Sequence, residues 1–75
     1  MGNKMVAGAR QTLRLIASGR ARQVFIAGDA PQRVTQPVRD AAMAAGVPVD
    51  GSESMQSLGR KCRIAVSCAV AAEQK

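Results

Sequence analysis

Three polar side chains, Arg10, Gln11 and Arg14, lie close enough in the chain to share one surface if their segment is helical. Residues 8–19, GARQTLRLIASG, read as a short helix bounded by Gly8 and Gly19. At about 100° per residue, Arg10, Gln11, Arg14 and Ser18 fall within an arc of about 100°. Ala9, Thr12, Leu13 and Ile16 take the opposite side, as a core-facing stripe does. Two planar guanidinium forks beside an amide make a donor array suited to phosphate oxygens and to the acceptor edge of guanine. The bland alternative is a solvated helix face with ordinary arginines. The rest of the chain decides between them.

The net charge is +6 and unevenly spread. Residues 1–22 carry Lys4, Arg10, Arg14, Arg20 and Arg22 with no acid, and Arg60, Lys61 and Arg63 form a second cluster. Between them Asp29, Asp40, Asp50 and Glu53 outnumber Arg33 and Arg39. A fold that brought the two basic clusters together would present one basic face, the footprint of a polyanion binder. An anionic membrane would also attract such a face, but no amphipathic helix carries large apolar anchors to insert. No apolar run is long enough to span a bilayer. Nothing resembles a secretory signal, so a cytoplasmic location is expected.

Enzymatic chemistry is hard to assemble from this inventory. The chain has no His, no Tyr and no Trp. Its acids stand singly in predicted turns, and neither Cys62 nor Cys68 has an evident base. Two thiols without other soft ligands do not close a zinc site, and no metal or other cofactor is expected. A disulfide between them is possible on numbers alone, yet the simpler expectation is two reduced cysteines behaving as small hydrophobes. Gly8 and Gly19 match neither a P-loop nor a dinucleotide fingerprint. The single aromatic, Phe25, sits in an apolar run and reads as core. Platforms that stack bases on aromatic rings are therefore excluded. What remains is recognition by shape, phosphates and polar base edges.

The elements that must position the Arg10 face follow from hydropathy. Seventy-five residues allow one domain, 1–75, with a core of small aliphatic side chains. Residues 5–7 form a short extended segment, and residues 20–22 a basic turn. Residues 24–27 are continuously apolar, as in a strand covered on both faces. Asp29 follows as a cap or turn residue. Pro37 is expected to start the main helix over residues 38–45, with Val38, Ala41, Ala42 and Ala45 facing inward and Gly46 stopping it. Residues 47–49 give a short strand whose Pro48 marks an edge or a strand start. Ser54 is a good N-cap for a helix over residues 55–61 with Leu58 inward. Residues 64–72 suit a central strand. Strands alternating with helices give an α/β class, most simply a three-layer sandwich.

Three stretches, in order, resemble one known family. Residues 8–14, GARQTLR, are similar to the G-T-K-Q-T-x-K helix start of the bacterial kink-turn-binding ribosomal proteins of the YbxF type. These are relatives of the archaeal large-subunit kink-turn binder and the eukaryotic snoRNP core protein. Residues 24–30, VFIAGDA, resemble the family's apolar strand and Asp-containing loop, and residues 53–66, ESMQSLGRKCRIAV, its E-S-M-x-x-L-G-K-A-C-G-I-E-V segment. The similarity covers residues 6–72.

The resemblance implies an α/β/α sandwich around a small four-stranded mixed sheet. It implies a non-enzymatic RNA-binding protein that acts on kink-turns, in which a helix and a three-nucleotide bulge lead into tandem sheared G·A pairs. The partner would be structured RNA, rRNA or a riboswitch-like RNA, with the ribosome as a setting, no membrane and a monomeric protein. Arg10 and Gln11 would read base edges in the widened major groove, and Arg14 would meet guanine or the nearby backbone. Gly8 would let the backbone approach closely. Arg63, Ile64, Ala65 and Val66 would cover the bulge, with Ile64 and Val66 against the protruding nucleotide, while Lys4, Arg20, Lys61 and Arg63 would supply phosphate contacts. The chain departs from the pattern at three places. It has fewer residues before Gly8 than the family carries, Arg63 where Gly is common, and Ala65 where Glu is common. Two competing readings remain: a protein-interaction adaptor on the same scaffold with only generic RNA affinity, and a thiol-dependent protein using Cys62 or Cys68.

Overall fold

The computed structural model describes residues 4–61, apart from the side chain of Lys61, and residues 68–75. Strands and helices alternate as expected: β1 (Met5–Ala7), α1 (Ala9–Ala17), β2 (Ala21–Ile26), α2 (Gln32–Ala45), β3 (Val49–Asp50), α3 (Met55–Lys61) and β4 (Val70–Gln74). The strands form one four-stranded sheet in the order β1-β4-β2-β3. β4 runs antiparallel to both of its neighbours, whereas β2 and β3 are parallel. The sheet is therefore mixed, with the last strand in the middle.

Alternation along β2 and β4 sorts the core onto two faces. Val24, Ile26, Val70 and Ala72 face α1 and α2, where they meet Ile16, Val38 and Ala42. Phe25, Ala27 and Ala71 face the other way, toward Leu58 of α3 and Cys68. This is the three-layer α/β/α sandwich. Alanine at 71 and 72 in the central strand leaves no room between layers; both are wholly buried. Full burial of Val24, Ile26, Val38, Leu58 or Val70 is worth about 1.5–3 kcal/mol each. No helix among the described residues is long and apolar enough to cross a membrane.

Four expectations need correction. The main helix begins at Gln32, after Pro31, and Pro37 lies inside it. Pro37 is exposed, so water can take the carbonyl that its missing N–H frees. The helix stripe is also displaced toward the start: Thr35, Val38 and Ala42 are buried, while Ala45 is exposed. Residues 20–22 are not a turn. Gly19, at φ 72°, makes the reversal, the N–H groups of Gly19 and Arg20 donate to the carbonyls of Ile16 and Leu15, and β2 begins at Ala21. One extra residue, Arg22, bulges between the pairs Ala21–Gln74 and Gln23–Glu73. That bulge returns Ala21 to the α1 face, where it is buried. Finally, the central strand, expected over residues 64–72, is β4 at Val70–Gln74 and continues through the polar pair Glu73 and Gln74. Residues 64–67 lie outside the described residues. Cys68 closes a turn: its N–H donates to the Met55 carbonyl (3.0 Å) and its Sγ to the Val70 carbonyl (2.9 Å). It is a free, buried cysteine.

The loops after β2 and β3 brace each other. Gly28 donates its N–H to the Glu53 carbonyl (2.9 Å). A Cβ at Gly28 would stand 3.3 Å from the Gly51 carbonyl oxygen. Asp29 is a cap, as its type suggested, but for a distant helix. Its Oδ1 accepts the Met55 N–H (2.9 Å), while Ser54 Oγ accepts the Ser57 N–H (3.1 Å). Two of the donors that open α3 are thus satisfied by side chains. Asp29→Ala should lower unfolding free energy by about 1 kcal/mol in urea denaturation, the usual worth of such a cap. An unchanged midpoint would show that water replaces the carboxylate without loss.

Candidate nucleic-acid interface

The α1 face predicted from spacing exists. Thr12 and Ile16 are buried, Ala9 and Leu13 pack partly against the core, and Arg10, Gln11 and Arg14 are exposed. Among the described residues, no hydrogen bond or ion pair engages these three side chains. They are therefore available to a ligand. Phe25 is buried against Leu58 and Ala71, so no ring is offered for stacking. The described residues contain no group of three or more His, Cys, Asp or Glu able to hold a metal ion.

Gly8 fixes where this face begins. It connects β1 to α1 at φ 102° and ψ 147°, and its N–H donates to the Val70 carbonyl (2.8 Å). That backbone conformation is nearly confined to glycine. Among the described residues, a Cβ there would meet nothing within 4 Å. The requirement for Gly8 is thus conformational, and no described residue crowds the first turn of α1 beside it. In nine residues α1 rises about 13 Å, running back along the sheet from this end. Arg14 sits one turn beyond Arg10, so their Cα atoms are about 6 Å apart along the axis.

The structure divides the other expected site residues. Gly8, Arg10, Gln11 and Arg14 come together at the start of α1. Lys4 does not join them: it precedes β1, and the chain from Lys4 to Gly8 spans about 13 Å of extended backbone. Its carbonyl accepts the Gln74 N–H (2.7 Å), which ties it to the opposite end of the sheet. The side chain of Lys61, together with Arg63, Ile64, Ala65 and Val66, lies outside the described residues. The basic residues of 1–22, read as one cluster, therefore occupy two places. Only strand register could separate them.

The whole chain, residues 1–75, matches the pattern of the Ribosomal protein L7Ae/L30e/S12e/Gadd45 family. It is 41% identical over 69 residues to the RNA-binding protein YbxF of Geobacillus stearothermophilus, covering 92% of this chain and 84% of that protein. An RNA-binding protein of Caldanaerobacter subterraneus is 37% identical over 70 residues, 93% of this chain and 85% of that protein. Among solved structures, the Giardia lamblia 15.5kD RNA binding protein matches with a TM-score of 0.89 and 33% identity, over 96% of this chain and 61% of that one. A Bacillus halodurans protein of unknown function matches with a TM-score of 0.86 at 19% identity, over 96% of this chain and 72% of that one, a likeness of fold alone.

Gly8→Ala should cost about 1–3 kcal/mol, because alanine must enter a backbone region it avoids. Urea denaturation checks this. A loss of only a few tenths would mean that the β1–α1 junction relaxes freely.

Proposed function

Because the chain belongs to the ribosomal protein L7Ae/L30e/S12e/Gadd45 family, we propose that it is a non-enzymatic RNA-binding protein whose α1 face recognises kink-turns in ribosomal or regulatory RNA. One observation carries the reading: Arg10, Gln11 and Arg14 are exposed together on α1, directly after Gly8. In the proposed complex the first turn of α1 enters a groove widened by the sheared G·A pairs. Arg10 and Gln11 meet base edges there, since a guanidinium fork pairs with two acceptors of guanine and an amide both donates and accepts. Arg14, one turn on, reaches guanine or the backbone beside it. Arg63, Ile64, Ala65 and Val66 cover the bulge, with Lys61 and Arg63 on phosphates.

The names of the relatives support the coarser part, since the proteins from Geobacillus stearothermophilus, Caldanaerobacter subterraneus and Giardia lamblia are called RNA-binding. The finer part draws on the α1 face. A widened groove matters because the major groove of regular A-form RNA is too deep and narrow for side chains to read. A helix that presents polar forks and no aromatic ring therefore needs distorted RNA.

Arg14→Ala should weaken binding to a kink-turn duplex by about 1–3 kcal/mol, the worth of a base contact. Titration at near-physiological salt measures it, with Arg14→Lys as companion. If Arg14 holds guanine through two nitrogens, Lys restores charge but not full affinity. A loss of only a few tenths on Arg14→Ala would remove Arg14 from the interface.

A further inference from the structure

A second basic surface lies at the end of the sheet where β1 and β2 begin. β1 and β2 both pair with β4, so their starts lie side by side with the end of β4 between them. The Gln74 N–H donates to the Lys4 carbonyl (2.7 Å), and the Lys75 N–H to the Arg20 carbonyl (2.9 Å). With strands about 4.8 Å apart, the backbones of Lys4 and Arg20 are about 10 Å from each other, flanking Lys75. Arg22 stands on the bulge next to them. All four residues are exposed, and among the described residues no ion pair engages their side chains.

The distribution of acids separates this end from the other. Asp29 and Glu53 lie in the loops that follow β2 and β3, and Asp50 ends β3, all toward the end where α1 starts. Toward the strand-start end lie Glu73, half-buried on β4, and Asp40, exposed in the second half of α2 and accepting from Gln36 Nε2 (2.8 Å). Helices α1 and α2 also finish here, each bringing about half a unit of negative charge. Lys4, Arg20, Arg22 and Lys75 crowd four cationic side chains around one strand end, which draws anions to it. It offers no aromatic ring and no helix start, and its donors are flexible side chains around a rigid sheet end. Such a surface suits a phosphate backbone read by charge alone.

We propose that the strand-start end, through Lys4, Arg20, Arg22 and Lys75, binds the phosphate backbone of a second RNA helix. The protein would then bridge two RNA segments, one read at α1 and one held without regard to sequence. Calling the segment second rests on the reading of α1. The surface itself rests on register and charge. Lys4 and the start of α1 stand at opposite ends of the sheet, so a separate segment is the proposed occupant.

The test loads the protein with a stoichiometric kink-turn duplex and titrates in a fluorescent, fully Watson–Crick RNA hairpin over a range of salt. The loaded protein should bind the hairpin. Arg22→Gln/Lys75→Gln should weaken that binding on the order of tenfold and reduce the salt slope by roughly two. Affinity for the kink-turn should stay within about twofold, and circular dichroism melting should confirm the fold. Failure of the loaded wild type to bind the hairpin overturns the proposal, as does equal binding by the double variant. Binding of phosphatidylserine vesicles in place of the hairpin overturns it in favour of a membrane. If the free protein shows no preference for the kink-turn, the reading of α1 fails on its own and the second surface is judged on the free protein. Hairpin binding weakened by Arg22→Gln/Lys75→Gln, but not by Arg10→Gln/Arg14→Gln, then supports it; the reverse overturns it.

Discussion

The pairing of β4 between β1 and β2 is the interaction on which the other features depend. It joins residues 5–7 to residues 71–73, almost the full length of the chain. It buries Val70 and Ala72 under α1 and α2 and Ala71 on the opposite face, where α3 packs. It also supplies the Val70 carbonyl that holds the Gly8 N–H, and so sets where α1 starts. Closing so long a loop costs entropy that grows only with the logarithm of its length. Small side chains make the arrangement possible, because alanine in the middle strand lets helices approach from both sides. A chain of this size has total stability of roughly 4–11 kcal/mol, so losing one buried side chain such as Leu58 would remove a large share.

Most of the architecture was legible because it depends on local signals. The apolar run at residues 24–27, Gly46 at a helix stop and Ser54 at a helix start all act through neighbours within a few residues. Pro37 misled because proline is usual in the first turn of a helix. In α2 it is the sixth residue, on an exposed side where its missing bond matters little. The start of β2 was hidden because Arg20 and Arg22 resemble turn residues, whereas pairing with Gln74 extends the strand to Ala21. β4 continues into Glu73 and Gln74 for the same reason: backbone partners on both sides outweigh side-chain polarity.

The α1 face was legible from helical period alone. Its separation from Lys4, Arg20 and Arg22 was not, since it follows from which strand pairs with which. Asp29 shows the same limit. Its role as a cap could be inferred from residue type, but its partner, Met55, lies beyond both α2 and β3 in the chain. The division has a physical consequence. In the proposed complex, Asp29, Asp50 and Glu53 toward the α1 start would temper attraction to phosphate there and favour discrimination through hydrogen bonds. At the opposite end, the proposed surface of Lys4, Arg20, Arg22 and Lys75, with no ion pair among the described residues, would favour affinity over selectivity.

The central claim is that Arg10, Gln11 and Arg14 recognise tandem sheared G·A pairs. It is tested most directly by titrating the protein against a short kink-turn duplex and against the same duplex with both G·A pairs replaced by Watson–Crick pairs, at near-physiological salt. The account predicts strong preference for the kink-turn, with much of the difference persisting as salt rises. Equal affinities that fall together with salt would contradict it.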